Sequence, residues 1–494
     1  MPNDVSSSAT SSADLPPFVF RIALCPMSLT QTLIHFAATL RIEDIPAPTQ
    51  HKLKLHLIDA IGCGWAASNS KVAGSARAAA MLLGGQGPCH VFGPGMPGHT
   101  GPAAAFANAL IINGLDHDDG VEIDGKGLGH PGSSLIAAAM AAMDLVPGGI
   151  SGDTLLIALA AGLEINNRLI HAVQPSAERF AQVYGIAQHQ AVGAAIVAGR
   201  ILGLDAPHLH HACGLAATLS CVPSLHKYNW SQRPLVSLKD GVAPAAQAGV
   251  QAALLARLDF VGSLDVLDGD QGYWRMLGSD RFAADILENG LGHHWHADYG
   301  SIKLYPACRW LACALECMDI LVEATGWWAD DISRIEVRTF RRAAEDFMDR
   351  TPANPTDAQF SLPYTLAALA LRLPPGPAWY SQETFHSPEL YALMARIEAC
   401  TDDDFEARMQ GSGRQPGAAV RLVHRDGRHA TETRHVPIGS AARPLDDTAI
   451  LEKALRNTQA HLPQPQAWMN TILDNRRWHD HWHDSRSLVG LAAV

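Results

Sequence analysis

From Ser28 onward, apolar positions recur at helical spacing through most of the first half of the chain. Leu53, Leu57 and Ile61 fall four apart, with Lys52, Lys54 and His56 elsewhere on the same helix. Gly101–Ile112 and residues 133–143 are almost wholly small or apolar. Asp153 stands at the start of a helix reaching about His171, with Glu164 and Arg168 one turn apart and spaced to brace it. Ala-rich stretches at about 187–203, 207–221 and 241–258 predict helices buried on several sides. No run in the first 270 residues alternates as a strand does. After that the pattern changes. Ile332–Thr339 alternates from Ile335, and Ala418–His424 and 429–436 flank Asp426-Gly427, a step suited to a type I′ hairpin. A helix returns at about 448–459, behind Asp446 and Asp447.

These changes predict a mainly α fold with an α+β lid. A disordered extension covers 1–27, and the first part of a large helical domain covers 28–274. A smaller α/β lid domain covers 275–437, and C-terminal helices over 438–494 rejoin the helical domain. A chain of 494 residues is too long for one comfortable core, which agrees with two domains. Hydrophobic residues make up 47% and charged residues 17%, as in a soluble globular protein. A net charge of −12 excludes wholesale binding to nucleic acid or an anionic membrane, so an anionic ligand needs a local basic cluster. Nine cysteines, an odd number without a CxxC pair, read as buried thiols in a reducing compartment. Residues 18–24 are apolar but short, and no apolar run reaches the roughly 18 residues of a membrane span, so a cytoplasmic location is expected.

Between the two apolar segments lies the densest chemistry of the chain. Asn113-Gly-Leu-Asp-His-Asp-Asp-Gly120 runs on through Glu122 and Asp124 to His130-Pro131-Gly132. A charged, glycine-loosened loop held between buried helices is a place for an active site. Its Glu122 and Asp124 are expected at the surface. Other candidates are Ser301-Ile-Lys303-Leu-Tyr305-Pro-Ala-Cys-Arg309, with two cations around a Pro-limited turn, and Ala358-Gln-Phe-Ser-Leu-Pro-Tyr364. A polar basic stretch, His226 through Arg233 with Lys239, and His189 at a helix start complete the set. The Gly/Pro-rich 84–98 segment lacks a nucleotide-binding context. His117-Asp118 has the look of a metal-binding His-Asp pair, but no second histidine follows at helical spacing, and no metal is expected.

These residues, in their order, resemble the MmgE/PrpD superfamily, which includes 2-methylcitrate dehydratase, cis-aconitate decarboxylase and iminodisuccinate epimerase. The resemblance spans about 28–460. It rests on Asp59-xx-Gly62, Leu115-Asp-His-Asp-Asp119, His130-Pro131, Gly162-x-Glu164-xxx-Arg168, Lys303-x-Tyr-Pro-x-Cys-Arg309 and Ala358-Gln-Phe-Ser-x-x-Tyr364. It implies a helical domain built from both chain ends, an α/β lid, a homodimer, and proton chemistry on small di- and tricarboxylates without metal or organic cofactor. Carried over by motif, Asp116, His130, Lys303 and Tyr364 are catalytic candidates, with His189 the nearest match to a mid-chain histidine. Arg309, Lys239, Arg233 and Gly120 are substrate-binding candidates. The sequence departs from the family at Asn113, where relatives often have histidine, and at Gly120, where they often have threonine. Val236 replaces a frequent lysine, for which Lys239 or Arg233 would substitute, and Leu311-Ala312 replaces a histidine.

The expectation is therefore a cofactor-independent lyase, foremost a dehydratase, acting on a small polycarboxylate. A decarboxylase or epimerase would use the same proton chemistry. A metal-dependent hydrolase built on His117-Asp118 and His130, or a catalytically inactive helical dimer, are the alternatives of other classes.

Overall fold

Alanine-rich helices can pack from every side, and the first half of the chain does so. The structure is a computed structural model describing residues 27–95, 98–182, 190–220, 233–411, 413–474, 481–482 and 484–491. Helices Gln190–Ile201 and Val242–Arg257 lie at the centre, in contact with Gly101–Ile112, Pro131–Asp144 and Ala206–Leu219. In Gly101–Ile112 every residue except Pro102 is buried, as a helix that is apolar all round requires. Several helix starts are set by side chains that accept from orphan backbone N–H groups. Ser28 forms a capping box with Gln31, Ser151 caps Gly152–Ala172, and Asp205 caps Ala206–Leu219. The Glu164–Arg168 pair is a brace, as its spacing predicts. Arg168 Nε donates to Glu164 Oε1 at 2.5 Å and its other nitrogens donate to the carbonyls of Ile286, Asn289 and His294.

The second half is built on a four-stranded sheet ordered His429–Arg434, Ala418–His424, Ile332–Thr339, Ile397–Thr401. Ile332–Thr339 runs antiparallel to Ala418–His424 and parallel to Ile397–Thr401. Its Ile332, Ile335, Val337 and Thr339 are buried, and helix Ala312–Thr325 packs against the sheet. The C-terminal helix Asp447–Thr458, capped by Asp446, lies against helix Ala47–Ala67 at the other end of the chain. There the fully buried Lys453 ammonium is 2.6 Å from Asp59 Oδ1 and also donates to His117 O at 2.6 Å. A mainly helical fold with α+β elements is thus what the chain adopts. No described helix is long and apolar enough to cross a membrane. Of the described cysteines, all are free thiols and all but Cys400 are buried.

Two details differ from the pattern-based reading. The connection after Ala418–His424 is not a two-residue type I′ turn, which would need positive φ at both Asp426 and Gly427. Only Gly427 has it (φ 91°), and His424 N donates to Arg428 O across a four-residue loop. Short strands also occur in the first half, too brief for alternation to reveal them. The one that matters is Gly120–Ile123, which pairs with Lys126–Gly127 and, through Gly120↔Ser301 and Val121↔Gly300, with the strand Gly300–Ser301. That small sheet ties the charged loop to the segment carrying Lys303.

Candidate active site

Helix Gly101–Ile112 ends in a tight turn, Asn113–Leu115, after which Asp116 takes the left-handed conformation (φ 52°, ψ 32°). A non-glycine residue rarely sits there, and strain of this kind concentrates at functional sites. It turns the Asp116 carboxylate between two ammonium groups, Lys239 Nζ at 2.8 Å from Oδ1 and Lys303 Nζ at 3.2 Å from Oδ2. Lys303 also donates to Asp116 O at 2.9 Å. Burial alone would push the Asp116 carboxyl up, but Lys239, Lys303 and His130 outweigh it and hold it well below the usual range. Lys239 precedes helix Val242–Arg257 in a turn where Asp240 has φ 63°. Burial opposes its charge, yet Asp116 and Asp240 (3.3 Å) keep it firmly protonated. The Phe360 ring lies 5.7 Å from its ammonium.

The other end of the loop is fixed by the start of helix Pro131–Asp144. Asp119 accepts from Gly132 N at 2.9 and 3.1 Å, so closely that a Cβ on residue 132 would stand 2.5 Å from its Oδ1. Asp118 accepts from Asn113 Nδ2 and from the Ser133 hydroxyl. His130 Nδ1 is 2.8 Å from Asp119 O, a group that can only accept, so Nδ1 carries the proton. Nε2 is then the working nitrogen and faces Asp240 Oδ2 at 3.8 Å. Burial would lower the His130 pKa, but Asp118 (3.4 Å from Nδ1) and Asp240 raise it overall, so the imidazolium is favoured.

Arg309 arrives from the second half. Its Nη1 binds Glu122, and its Nη2 is buried without a hydrogen-bond partner among the described residues. Gly120 makes room for it, since a Cβ there would lie 2.8 Å from Arg309 Nη2. Glu122 is therefore no surface acid. The strand Gly120–Ile123 is buried throughout because it is paired on both sides, and Glu122 orients the guanidinium while Asp124 stays exposed.

Asp116, Gly127, Gly129, His130, Asp240, Lys303, Cys308, Arg309, Trp310 and Phe360 line one cavity of about 50 Å³ that is partly open to solvent. Water fills roughly 30 Å³ per molecule in the liquid, so the inner part of this cavity has room for about one or two waters. One wall comes from the helical first half, the other from Lys303 onward.

Of the residues singled out in the sequence, Asp116, His130, Lys303, Arg309, Lys239 and Gly120 converge here. Lys239 reaches the site while Val236 is exposed. Arg233 does not line the cavity; its Nε pairs with Asp349 Oδ2 at 3.1 Å. Tyr364 is also apart from it. Its hydroxyl donates to Trp379 O at 2.5 Å and its ring stacks on Tyr380, whose hydroxyl binds Pro306 O in the turn before Arg309. His189, like 226–232 of the basic stretch, lies outside the described residues. Asp240, Trp310 and Phe360 are not picked out by sequence. For Asp240 the signal is faint, a Lys-Asp-Gly turn at a helix entry.

His117 points away from the cavity and bonds Leu304 O, so the His117-Asp118 pair does not form a centre. Among the described residues, the groups able to approach one ion are Asp116, Asp118 and His130, with ligand atoms within 4.8 Å of one another. An ion there would compete with the two ammonium groups already bound to Asp116.

Comparison with known proteins places the chain in a family. The MmgE/PrpD N-terminal domain matches residues 31–284, and the MmgE/PrpD C-terminal domain matches 305–477. The cis-aconitate decarboxylase of Aspergillus terreus is 24% identical over 453 residues, covering 86% of this chain and 88% of that protein. The human cis-aconitate decarboxylase is 22% identical over 381 residues (75% and 76%), and the mouse protein 22% over 388 (75% of each). The chain belongs to the MmgE/PrpD family.

Proposed function

We propose that this protein is a cofactor-independent lyase of small di- or tricarboxylates, and that its leading reaction is dehydration of a hydroxy acid. The observation carrying this reading is a paired acid and base on one cavity. His130 Nε2 and the Asp240 carboxylate both face the space walled by Lys303 and Arg309. A C–H beside a carboxylate is weakly acidic, and nearby cations stabilise the charge left when it is removed. Arg309 Nη2 and Lys303 hold the substrate carboxylates. Asp240 takes the C–H proton, the electron pair forms the C=C bond, and the C–O bond breaks as protonated His130 delivers its Nε2 proton to the departing hydroxyl. Asp116 sets the position of both lysines, and Asp118 keeps His130 charged. Tyr364 acts from behind, through Tyr380, on the turn that presents Arg309. Like many family members by resemblance, the enzyme would work as a homodimer.

Decarboxylation is the second reading, favoured by the names of the curated relatives. It needs the proton donor but not the base. The C–C bond to the carboxylate breaks, the pair moves to the adjacent carbon, and His130 protonates it. Nuclear magnetic resonance of citrate-like and aconitate-like acids incubated with the enzyme separates the two. A new alkene without loss of CO₂ supports dehydration, and CO₂ release supports the second reading. Deuterium exchange with neither product would contradict both.

A further inference from the structure

The hairpin formed by Gly120–Ile123 and Lys126–Gly127 has a second cavity on its other side. Gly127 lines the catalytic cavity, whereas Lys126 lines a separate space of about 260 Å³. That approaches the lower end of small-molecule sites, roughly 300 Å³. Ile123, Leu128, Phe282 and Ile286 give it an apolar floor, and Lys126, His171 and Arg281 stand around it. The only acid on its lining is Asp124, whose side chain is 79% exposed and 3.8 Å from His171 Nε2. No described carboxylate lies within ion-pair distance of the Lys126 ammonium or the Arg281 guanidinium. In a chain of net charge −12, a cavity with this balance is not a consequence of composition.

The basic groups also crowd one another. Lys126 is disfavoured in its charged form by burial and by Arg414 and Arg281, with only Asp124 in its favour. His171 is held below its usual range by burial, and by Lys126 and Arg168 against Asp124. Like charges gathered around a single, largely exposed acid are costly, and an anion between them reduces that cost. The floor is apolar, so the anion that fits carries a short carbon skeleton.

We infer that this cavity is a second binding site, distinct from the catalytic one, for a small organic anion held by Lys126 and Arg281 with its carbon chain against Ile123, Leu128 and Phe282. Carboxylate and phosphate monoester ligands share the chemistry. The shared hairpin places such a ligand directly behind the wall of the catalytic cavity.

Isothermal titration with tricarballylate, which has three carboxylates but neither hydroxyl nor C=C bond, tests this on the full-length protein. Glycerol 3-phosphate serves as the phosphate arm. The expected result is binding of at least one probe that persists in Arg309→Gln and weakens at least tenfold in Lys126→Gln with Arg281→Gln. Lys126→Arg, which keeps the charge, should restore binding. Tricarballylate alone identifies a carboxylate ligand, and glycerol 3-phosphate alone a phosphate ligand. Arg281 is exposed and Lys126 half-buried, so the variants should fold, and an unchanged melting temperature checks that. Binding of both probes abolished by Arg309→Gln, or unaffected by the double substitution, or absent altogether, would overturn the inference.

Discussion

Replacing Lys239 with methionine removes the ammonium 2.8 Å from Asp116 and 3.3 Å from Asp240 while keeping the length of the side chain. Both carboxylates are buried, at 2% and 6% exposure, so bulk water cannot take the ammonium's place and only the roughly one or two waters of the adjoining cavity could. With an effective dielectric constant of about 20, a charge pair at 2.8 Å attracts by about 6 kcal/mol, before desolvation is subtracted. Breaking a buried pair by deleting one partner typically costs about 3–5 kcal/mol. Lys303 remains on Asp116, which places the expected loss near the lower end of that range. A chain of this length has an unfolding entropy of about 1 kcal/mol/K, so the melting temperature should fall by roughly 3 °C at pH 7. The pH dependence carries the sharper test. In the wild type Asp116 has a depressed pKa, so its contribution is present above the ordinary carboxylate range, near 3.9, and is lost only below it. Without Lys239 the pKa rises, a proton can bind at mildly acidic pH, and the variant recovers relative to wild type between pH 7 and pH 5. Differential scanning calorimetry across that range measures the gap. A gap under about 1 kcal/mol, or one that stays constant with pH, would refute the assignment of Lys239 as the counter-charge.

Gly120→Ala would drive a Cβ to 2.8 Å from Arg309 Nη2, so KM for the carboxylate substrate should rise roughly tenfold, about 1.4 kcal/mol, in steady-state kinetics. Because His130 acts as an acid with a raised pKa, kcat/KM should fall as pH increases through a value above the ordinary histidine pKa of about 6.5. Asp118→Asn should move that limb to lower pH. Tyr364→Phe leaves Trp379 O buried without its donor, which costs about 1–3 kcal/mol, and should lower the melting temperature by about 1–3 °C. Elemental analysis of purified enzyme, with activity retained in EDTA, should show that Asp116, Asp118 and His130 work without a bound ion; EDTA-sensitive activity restored by a divalent metal would support the hydrolase alternative.

Helices of the first half were legible because a helix buried all round must be apolar all round, and a run such as Gly101–Ile112 can be little else. The site was legible as a set of residue types in order, but not as a geometry. Five acids crowd the loop from Asp116 to Asp124, and which of them face inward depends on one left-handed residue and one short strand. Periodicity detects neither. The same strand converts Glu122 from an expected surface acid into the partner of Arg309. Asp240 escapes notice because its role comes from a positive-φ turn that places it opposite His130, about a hundred residues away in sequence. Tyr364 shows the converse. Its motif marks a tyrosine near the site, while the hydroxyl is held by a backbone carbonyl placed beside it by the Pro377–Tyr380 turn.

Delivery of the His130 Nε2 proton to the departing hydroxyl is the central claim, and release of the alkene from a hydroxy acid measures it most directly. The wild-type enzyme, incubated with citrate-like hydroxy acids and followed by proton resonance, should release the alkene. His130→Gln should slow this by about 10²–10⁴-fold, the usual contribution of a positioned general acid. Turnover of such an acid at an unchanged rate in His130→Gln would contradict the claim.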